Sequence, residues 1–226
     1  MYYTYLKEEP TNHAQISGVV CSTPEKSHQV EGESFYEFKV DVKRLSGKSD
    51  ILPVTISERT MLGLTLKEGD FVSLTGEYRS YNKLLNEKSK LVLHFFAKEI
   101  KLCESEEEKK YFNEVRLTGF ICRTPILRTT PFSREICDVL IAVNRPNYHK
   151  SDYIPCIFWS RNANFIAKQG ISCKVAVLGR IQSREYKKEG EDDIKTAYEV
   201  SVSRIEILEN SAKQLQENNS ENKAIN

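Results

Sequence analysis

No stretch of this 226-residue sequence approaches the ~20 apolar residues that a membrane-spanning helix needs. The first ten residues, MYYTYLKEEP, lack the basic start and apolar run of a secretory signal peptide. The six cysteines form no C-x-x-C pair, and most sit in apolar runs, where free cysteine behaves as a small hydrophobe. These absences exclude a membrane protein and a secreted disulfide scaffold, and they predict a reduced, cytoplasmic protein.

Net charge and catalytic motifs are also scarce. The 33 basic and 32 acidic residues leave a formal charge of +1, which excludes a strongly basic, histone-like binder. The four histidines and the scattered cysteines show no metal-ligand spacing, so no metal and no cofactor are predicted. Because no G-x-S-x-G, H-E-x-x-H or carboxylate pair is present, the sequence does not indicate an enzyme.

The sequence contains an internal repeat, copy 1 at Asn12–Leu102 and copy 2 at Asn113–Leu208. The matched landmarks keep nearly constant spacing: Gly18 and Gly119, Cys21 and Cys122, Pro24 and Pro125, Arg44 and Arg145, and Gly69 and Gly170 lie 101 residues apart, Pro53 and Pro155 lie 102 apart, and Gly76 and Gly179 lie 103 apart. This order indicates duplication of a domain of about 100 residues.

The repeat divides the chain into four predicted segments. An N-terminal domain occupies 1–103, a charged linker 104–112 and a C-terminal domain 113–208. The last segment, 209–226, is polar and is predicted to be a disordered tail.

Each copy is predicted to be mostly strand, because runs rich in Val, Ile, Phe and Tyr are bounded by Gly, Pro, Ser and Asn. One short helix is expected between the third and fourth strands, near 58–66 in copy 1 and over Arg161–Lys168, with Ser160 as N-cap, in copy 2. The expected strands of copy 2 are 113–124, 134–145, 153–159, 172–186 and 195–208. Five strands in this order predict an all-β chain of two tandem OB-folds, small Greek-key barrels that bind oligonucleotides on one face.

Alternation along two strands of copy 2 predicts the binding face. On the third strand Ile154, Cys156 and Phe158 are assigned to the core, which turns Tyr153 and the only tryptophan, Trp159, outward. On the fourth strand the core set is Cys173, Val175, Val177 and Ile181, and the outward residues are Lys174, Arg180, Gln182, Arg184 and Tyr186. Exposed rings for bases beside cations for phosphates are what single-stranded nucleic acid requires.

Copy 1 is predicted to be a degenerate version of this face. Trp159 aligns with Ser57, and only Arg79 and Tyr81 remain as possible secondary contacts. Residues 1–103 carry 14 basic and 14 acidic residues, a net charge of 0, whereas 113–208 carry 15 and 11, a net charge of +4. The charge distribution therefore favours copy 2 as the main site.

Copy 2 resembles the bacterial single-stranded DNA-binding protein (SSB) family. The resemblance lies in NEVRLTGFICRTPILRTTP, IAVNR, YIPCIFWSRNANFIAKQG and VLGRIQSREY, which cover nearly all of 113–208. It implies that Tyr153, Trp159 and Tyr186 stack on bases, with Tyr148 as a further ring in the loop after IAVNR. Arg145, the last residue of IAVNR, joins the predicted phosphate contacts.

The resemblance also implies partners and a cellular role. It implies single-stranded DNA as the ligand, a homodimer with four OB domains, and a cytoplasmic, nucleoid-associated protein of replication, recombination or repair. Family members recruit replication proteins through an acidic tail, whereas this chain ends in KAIN after few acids, so recruitment of replication or recombination partners is not expected to follow that route.

Two other functions remain open at this point. One is an RNA-binding or primosome-accessory OB protein, which comparison of DNA and RNA oligonucleotides would distinguish. The other is an OB-fold protein-interaction module, which failure to bind nucleic acid at low salt would favour.

Overall fold

The computed structural model describes residues 10–85, 88–146, 149–187 and 194–209. Within these ranges the chain is built almost entirely of strands: β1 Asn12–Val20, β2 Glu25–Val30, β3 Glu33–Lys43, β4 Ser49–Ser57, β5 Phe71–Leu85, β6 Lys88–Leu102, β7 Phe112–Ile121, β8 Ile126–Thr129, β9 Glu135–Asn144, β10 Ser151–Trp159, β11 Lys174–Lys187 and β12 Ile194–Glu209, with one helix, α1 Ser160–Ile166, between β10 and β11.

The strands form two closed sets with the same order. In the first set, β3 pairs with β4, β4 runs parallel to β6, β6 pairs with β5, β5 pairs with β1, and β1 closes on β3. In the second set β9, β10, β12, β11 and β7 repeat this order, with β10 parallel to β12 and β7 paired with β9. The predicted fold, two tandem OB-folds, is confirmed. The short strands β2 and β8, each paired with the next long strand, were not predicted.

The predicted core residues of the third and fourth strands of copy 2 are confirmed. On β10, Ile154, Cys156 and Phe158 are buried, and the predicted inward residues of the fourth strand are buried as well. All six cysteines are free, and four are buried. Burial, helped by the charge of Asp138, raises the pKa of the Cys137 thiol to about 11, so this thiol stays protonated and behaves as an apolar core group.

The predicted helices are only partly confirmed. The helix in copy 1 near 58–66 is wrong: residues 58–63 form hydrogen-bonded turns, because Gly63 adopts a φ of +81° that a helix cannot continue through. In copy 2 the helix exists, but Ser160 is not its N-cap. Trp159 holds that position in extended conformation without a side-chain cap, and Ser160 has a φ of +50°.

The chain divides into two compact units. The C-terminal unit comprises the described residues of Met1–Thr11, Arg116–Gly179 and Val200–Asn226, and the N-terminal unit those of Asn12–Val115 and Arg180–Glu199. The repeat assigns 180–199 to copy 2, whereas the structure groups these residues with copy 1. The predicted tail, 209–226, lies outside the described residues except for Glu209.

Close approach of neighbouring strands explains why glycine recurs at two repeat landmarks. A Cβ added at Gly119 would lie 2.3 Å from the carbonyl oxygen of Ala142, and one added at Gly18 would lie 2.2 Å from that of Asp41. Contacts this short are not tolerated, so each barrel needs a residue without a side chain at this crossing.

Replacing Gly119 by Ala is therefore expected to lower the free energy of unfolding by about 1–3 kcal/mol, the usual cost of overpacking. Gly170→Ala is the matched control, because a Cβ there would meet no atom within 4 Å. Urea denaturation followed by tryptophan fluorescence measures both variants. Equal losses of unfolding free energy in the two variants would mean that the close approach of the strands at Gly119 does not cause the destabilisation.

Candidate nucleic-acid interface

The outer side of β10 carries the predicted rings of the C-terminal unit. Tyr153 is 42% exposed. Trp159 is half-buried, and its indole Nε1–H donates a hydrogen bond to the Ser201 hydroxyl at 3.1 Å. Ile157, between them on the same side, is 4% exposed. The side therefore presents one open ring and one anchored ring, and the hydrogen bond fixes the orientation of the indole.

Lys174, on β11, is half-buried in the C-terminal unit. Its ammonium lies 2.9 Å from Oε1 of Glu209 and 5.8 Å from the ring centroid of Phe120. The carboxylate is itself exposed, so this ion pair is weak and a phosphate could replace it. Lys174 is therefore available as a cation for a phosphate, as the sequence predicted.

Arg145 forms an ion pair with a buried carboxylate. Its Nε and Nη2 donate to the two carboxylate oxygens of Asp152 at 2.9 and 2.6 Å, and the Asp152 side chain is 1% exposed. Copy 1 repeats the arrangement with Arg44 and Asp50, joined by two hydrogen bonds of 2.6 Å. The hydrogen bonds that Arg44 donates to the Asp50 carboxylate raise the pKa of Arg44. The first task of Arg145 is thus structural, although it also lines a basic cavity of about 340 Å³ with His149.

The outer residues of β11 from Arg180 onward belong to the N-terminal unit, so the structure does not group them with Tyr153 and Trp159. Arg184 Nε lies 3.9 Å from Glu199 Oε1, and its guanidinium lies 5.9 Å from the ring centroid of Tyr186. Tyr186 is 37% exposed. These two side chains are open to solvent and suit contact with a phosphate and a base.

Gln182 does not face solvent as the alternation predicted. It is 6% exposed, and its amide donates to Oε1 of Glu199 at 2.7 Å. Glu199, on the neighbouring strand, is 8% exposed, and a buried carboxylate needs such donors. Gln182 thus satisfies a buried charge and has little surface left for a ligand.

A surface of rings in copy 1 was missed by sequence reasoning. The ring centroids of Tyr81 and His94 lie 5.5 Å apart, those of His94 and Phe96 6.3 Å, and those of Phe96 and Phe35 6.1 Å. The guanidinium of Arg79 lies 3.9 Å from the centroid of Phe96. We call Tyr81, His94, Phe96 and Phe35 the ring surface. It makes copy 1 richer in aromatics than the third and fourth strands alone suggested.

Glu77 forms ion pairs with Arg79 and Lys98, beside the ring surface. Burial acts to raise its pKa, but hydrogen bonds from Lys98 and Arg79 and their charges outweigh burial and lower the pKa below its usual value. Arg79 Nη2 lies 2.6 Å from Glu77 Oε2. Arg79 is therefore partly neutralised.

The remaining predictions concern Tyr148, metal binding and membrane-spanning helices. Tyr148 lies outside the described residues. In the part of the chain that the structure describes, no group of three or more His, Cys, Asp or Glu side chains could hold a metal ion, and no helix is long and apolar enough to cross a membrane.

Comparison with known proteins identifies the family to which this chain is related. The model of the single-strand binding protein family matches residues 112–208. Single-stranded DNA-binding protein B of Bacillus subtilis is 36% identical over 87 residues, which cover 34% of this chain and 74% of that protein. The chain belongs to the single-strand binding protein family. The single-stranded DNA-binding protein of Oceanobacillus iheyensis is 38% identical over 112 residues, 45% of this chain and 66% of that protein.

The family match covers only part of the relatives and, by sequence, only copy 2. This chain spans 66%, 64% and 48% of the length of three curated relatives that it matches. A solved structure of the single-stranded DNA-binding protein from Thermus aquaticus covers 88% of this chain and 94% of its own, with a TM-score of 0.68 and 20% identity. That likeness extends the shared fold to both copies. The relatives are named as DNA-binding proteins, not as enzymes.

Proposed function

We propose that this protein binds single-stranded DNA without catalysis, largely independently of sequence, in replication, recombination or repair. The observation that carries the proposal is the outer side of β10, where Tyr153 is exposed and Trp159 is partly open, within the segment that the family model matches. Every base has a π-face, so exposed rings bind single strands with little regard to sequence.

Cations in both units support the proposal. Arg184 is open to solvent beside Tyr186, and Lys174 is held only by an exposed carboxylate. Arg180 has no carboxylate within ion-pair distance among the described residues. We propose that these three side chains contact phosphates, whereas Arg145 and Gln182 mainly hold the carboxylates of Asp152 and Glu199.

The ring surface of copy 1 is proposed as a secondary contact. Its four rings, on β5, β6 and β3, follow one another with centroid distances of 5.5 to 6.3 Å, spacings at which aromatic groups interact. Tyr81 is 42% exposed, so a base can reach the end of the row. Arg79 contributes less, because Glu77 holds it.

Family membership supports further proposals. These are a homodimer with four OB domains, association with the nucleoid in the cytoplasm, and contacts with replication or recombination proteins.

The test is a titration of labelled oligo-dT at several salt concentrations. Phosphate contacts release counterions, so log affinity should fall with log salt by about 0.7 per phosphate neutralised on a single strand. Replacing both Arg180 and Arg184 by Ala should flatten that slope by about 1.4 if each holds one phosphate. The double variant should weaken different base compositions alike, because phosphates carry no sequence information.

Arg79→Ala is the control, and a smaller change in slope is expected because Glu77 already opposes this cation. A larger effect of Arg79→Ala would contradict copy 2 as the main site. Tighter binding of oligo-rU than of oligo-dT would favour the RNA-binding alternative. Failure of the unmodified protein to bind either strand at low salt would favour a protein-interaction module.

A further inference from the structure

A basic cavity of about 810 Å³ lies within the N-terminal unit. The end of β3, the segment that leads into β7, and Arg180 of β11 line it. Its lining includes four cations and two aromatic rings: Lys43, Arg44, Lys110, Arg180, Tyr111 and Phe112. The volume falls in the usual range for small-ligand sites, about 300–1,000 Å³.

The cavity has an excess of positive charge. Arg44 is neutralised by Asp50 through two hydrogen bonds of 2.6 Å. Within the described ranges, no carboxylate lies within ion-pair distance of Lys43, Lys110 or Arg180. Burial and the neighbouring charge of Arg44 lower the pKa of Arg180. The charges of Arg44 and Arg180 oppose each other across this cavity, and an anion bound there would relieve that repulsion.

The walls of the cavity are held in place before any ligand arrives. Asp50, which fixes Arg44, also accepts hydrogen bonds from the backbone N–H of Ser183 at 2.7 Å and from its hydroxyl at 3.1 Å. The Asn113 side chain makes two hydrogen bonds, of 2.7 and 2.9 Å, with the backbone of Ile181. A preorganised site loses less entropy on binding than a flexible one.

Two aromatic rings border the cations. Phe112 is 42% exposed and Tyr111 is 37% exposed. The Tyr111 ring is fixed by Phe71, whose centroid is 5.1 Å away, and the ammonium of Lys43 lies 5.4 Å from its centroid. Exposed rings next to cations recognise a base and a phosphate together, the two parts of a nucleotide.

We propose that this cavity is a nucleotide subsite for a bound single strand, with the phosphate on Lys43, Lys110 and Arg180 and the base against Phe112. The inference rests on the proposed function and adds Lys43, Lys110 and Phe112 to Arg180 as contacts of the strand. The lining side chains of Lys43, Lys110, Tyr111 and Phe112 are exposed, so a strand can enter. The phosphate can be internal or terminal, because both have the same anionic oxygens.

Two experiments test the subsite on the full chain. In a ¹⁵N–¹H correlation spectrum, dTMP at millimolar concentration should shift the amides of 43–46 and 110–113, and thymidine, which has no phosphate, should shift them much less. Replacing Lys43 and Lys110 by Gln should abolish these shifts. In oligo-dT titrations the same double variant should flatten the salt slope by about 0.7, the value for one phosphate. Oligo-dT with and without a 5′-phosphate distinguishes binding of a terminal phosphate from binding of an internal one.

The control is Lys48→Gln with Lys67→Gln, which removes two exposed lysines outside the cavity and should leave both readouts as in the unmodified chain. Equal shifts with thymidine and dTMP would overturn the subsite, because the phosphate would not be recognised. Shifts with dTMP but an unchanged slope would overturn the strand as occupant. Loss of oligo-dT binding in the unmodified protein would instead refute the proposed function, which distinguishes the two failures.

Discussion

Replacing Arg145 by Met is expected to lower the free energy of unfolding by about 3–5 kcal/mol, because removing one partner of a buried ion pair leaves the other charge buried. Asp152 is that charge, with 1% of its side chain exposed. Arg145 supplies two hydrogen bonds to its carboxylate, and Met fills a similar volume without supplying either. Urea denaturation followed by the fluorescence of Trp159 measures the loss.

The matched control is Arg128→Met. Arg128 also pairs with an aspartate, Asp138, but the two side chains are 44% and 38% exposed. Exposed pairs contribute about 0–1 kcal/mol, so this variant should be close to the unmodified protein in stability. Arg44→Met should behave like Arg145→Met, since Asp50 is equally buried. Similar losses at Arg145 and Arg128 would contradict a structural role for the buried pair.

Replacing both Tyr153 and Trp159 by Ala is expected to weaken binding of oligo-dT by about 2–6 kcal/mol, since each stacked base contributes about 1–3 kcal/mol. In the unmodified protein, binding should quench tryptophan fluorescence, because Trp159 is the only tryptophan in the chain. Fluorescence anisotropy of a labelled oligonucleotide measures the affinity of each variant.

Trp159→Phe separates stacking from anchoring. Phenylalanine keeps a ring for the base but cannot donate the hydrogen bond that Trp159 makes to Ser201. Most of the affinity should survive this change if stacking dominates. Ser57→Ala, at the equivalent position of copy 1, should leave affinity nearly unchanged. Unaltered affinity after the double Ala replacement, or unaltered Trp159 fluorescence when the unmodified protein binds oligo-dT, would reject the outer side of β10 as the stacking platform.

Alternation and internal repetition determined much of the fold from the sequence. Period-two patterning placed Ile154, Cys156 and Phe158 in the core, because side chains in a strand point to opposite sides in turn. The same rule turned Tyr153 outward, as observed. It failed at Gln182, because alternation gives the side of a strand but not what covers that side. A carboxylate from the next strand, Glu199, covers it.

The tertiary structure alone decided which side chains come together. The ring surface joins Tyr81, His94 and Phe96 to Phe35, which lies on β3, and neighbours in an OB barrel are not neighbours in sequence. The sequence predicted Arg145 as a contact for the nucleic acid, but the structure pairs its guanidinium with Asp152 through two hydrogen bonds. Local sequence patterns indicate which segments form strands and which side of a strand a residue occupies. Contacts between distant residues depend on strand order and register, which arise only when the barrel closes.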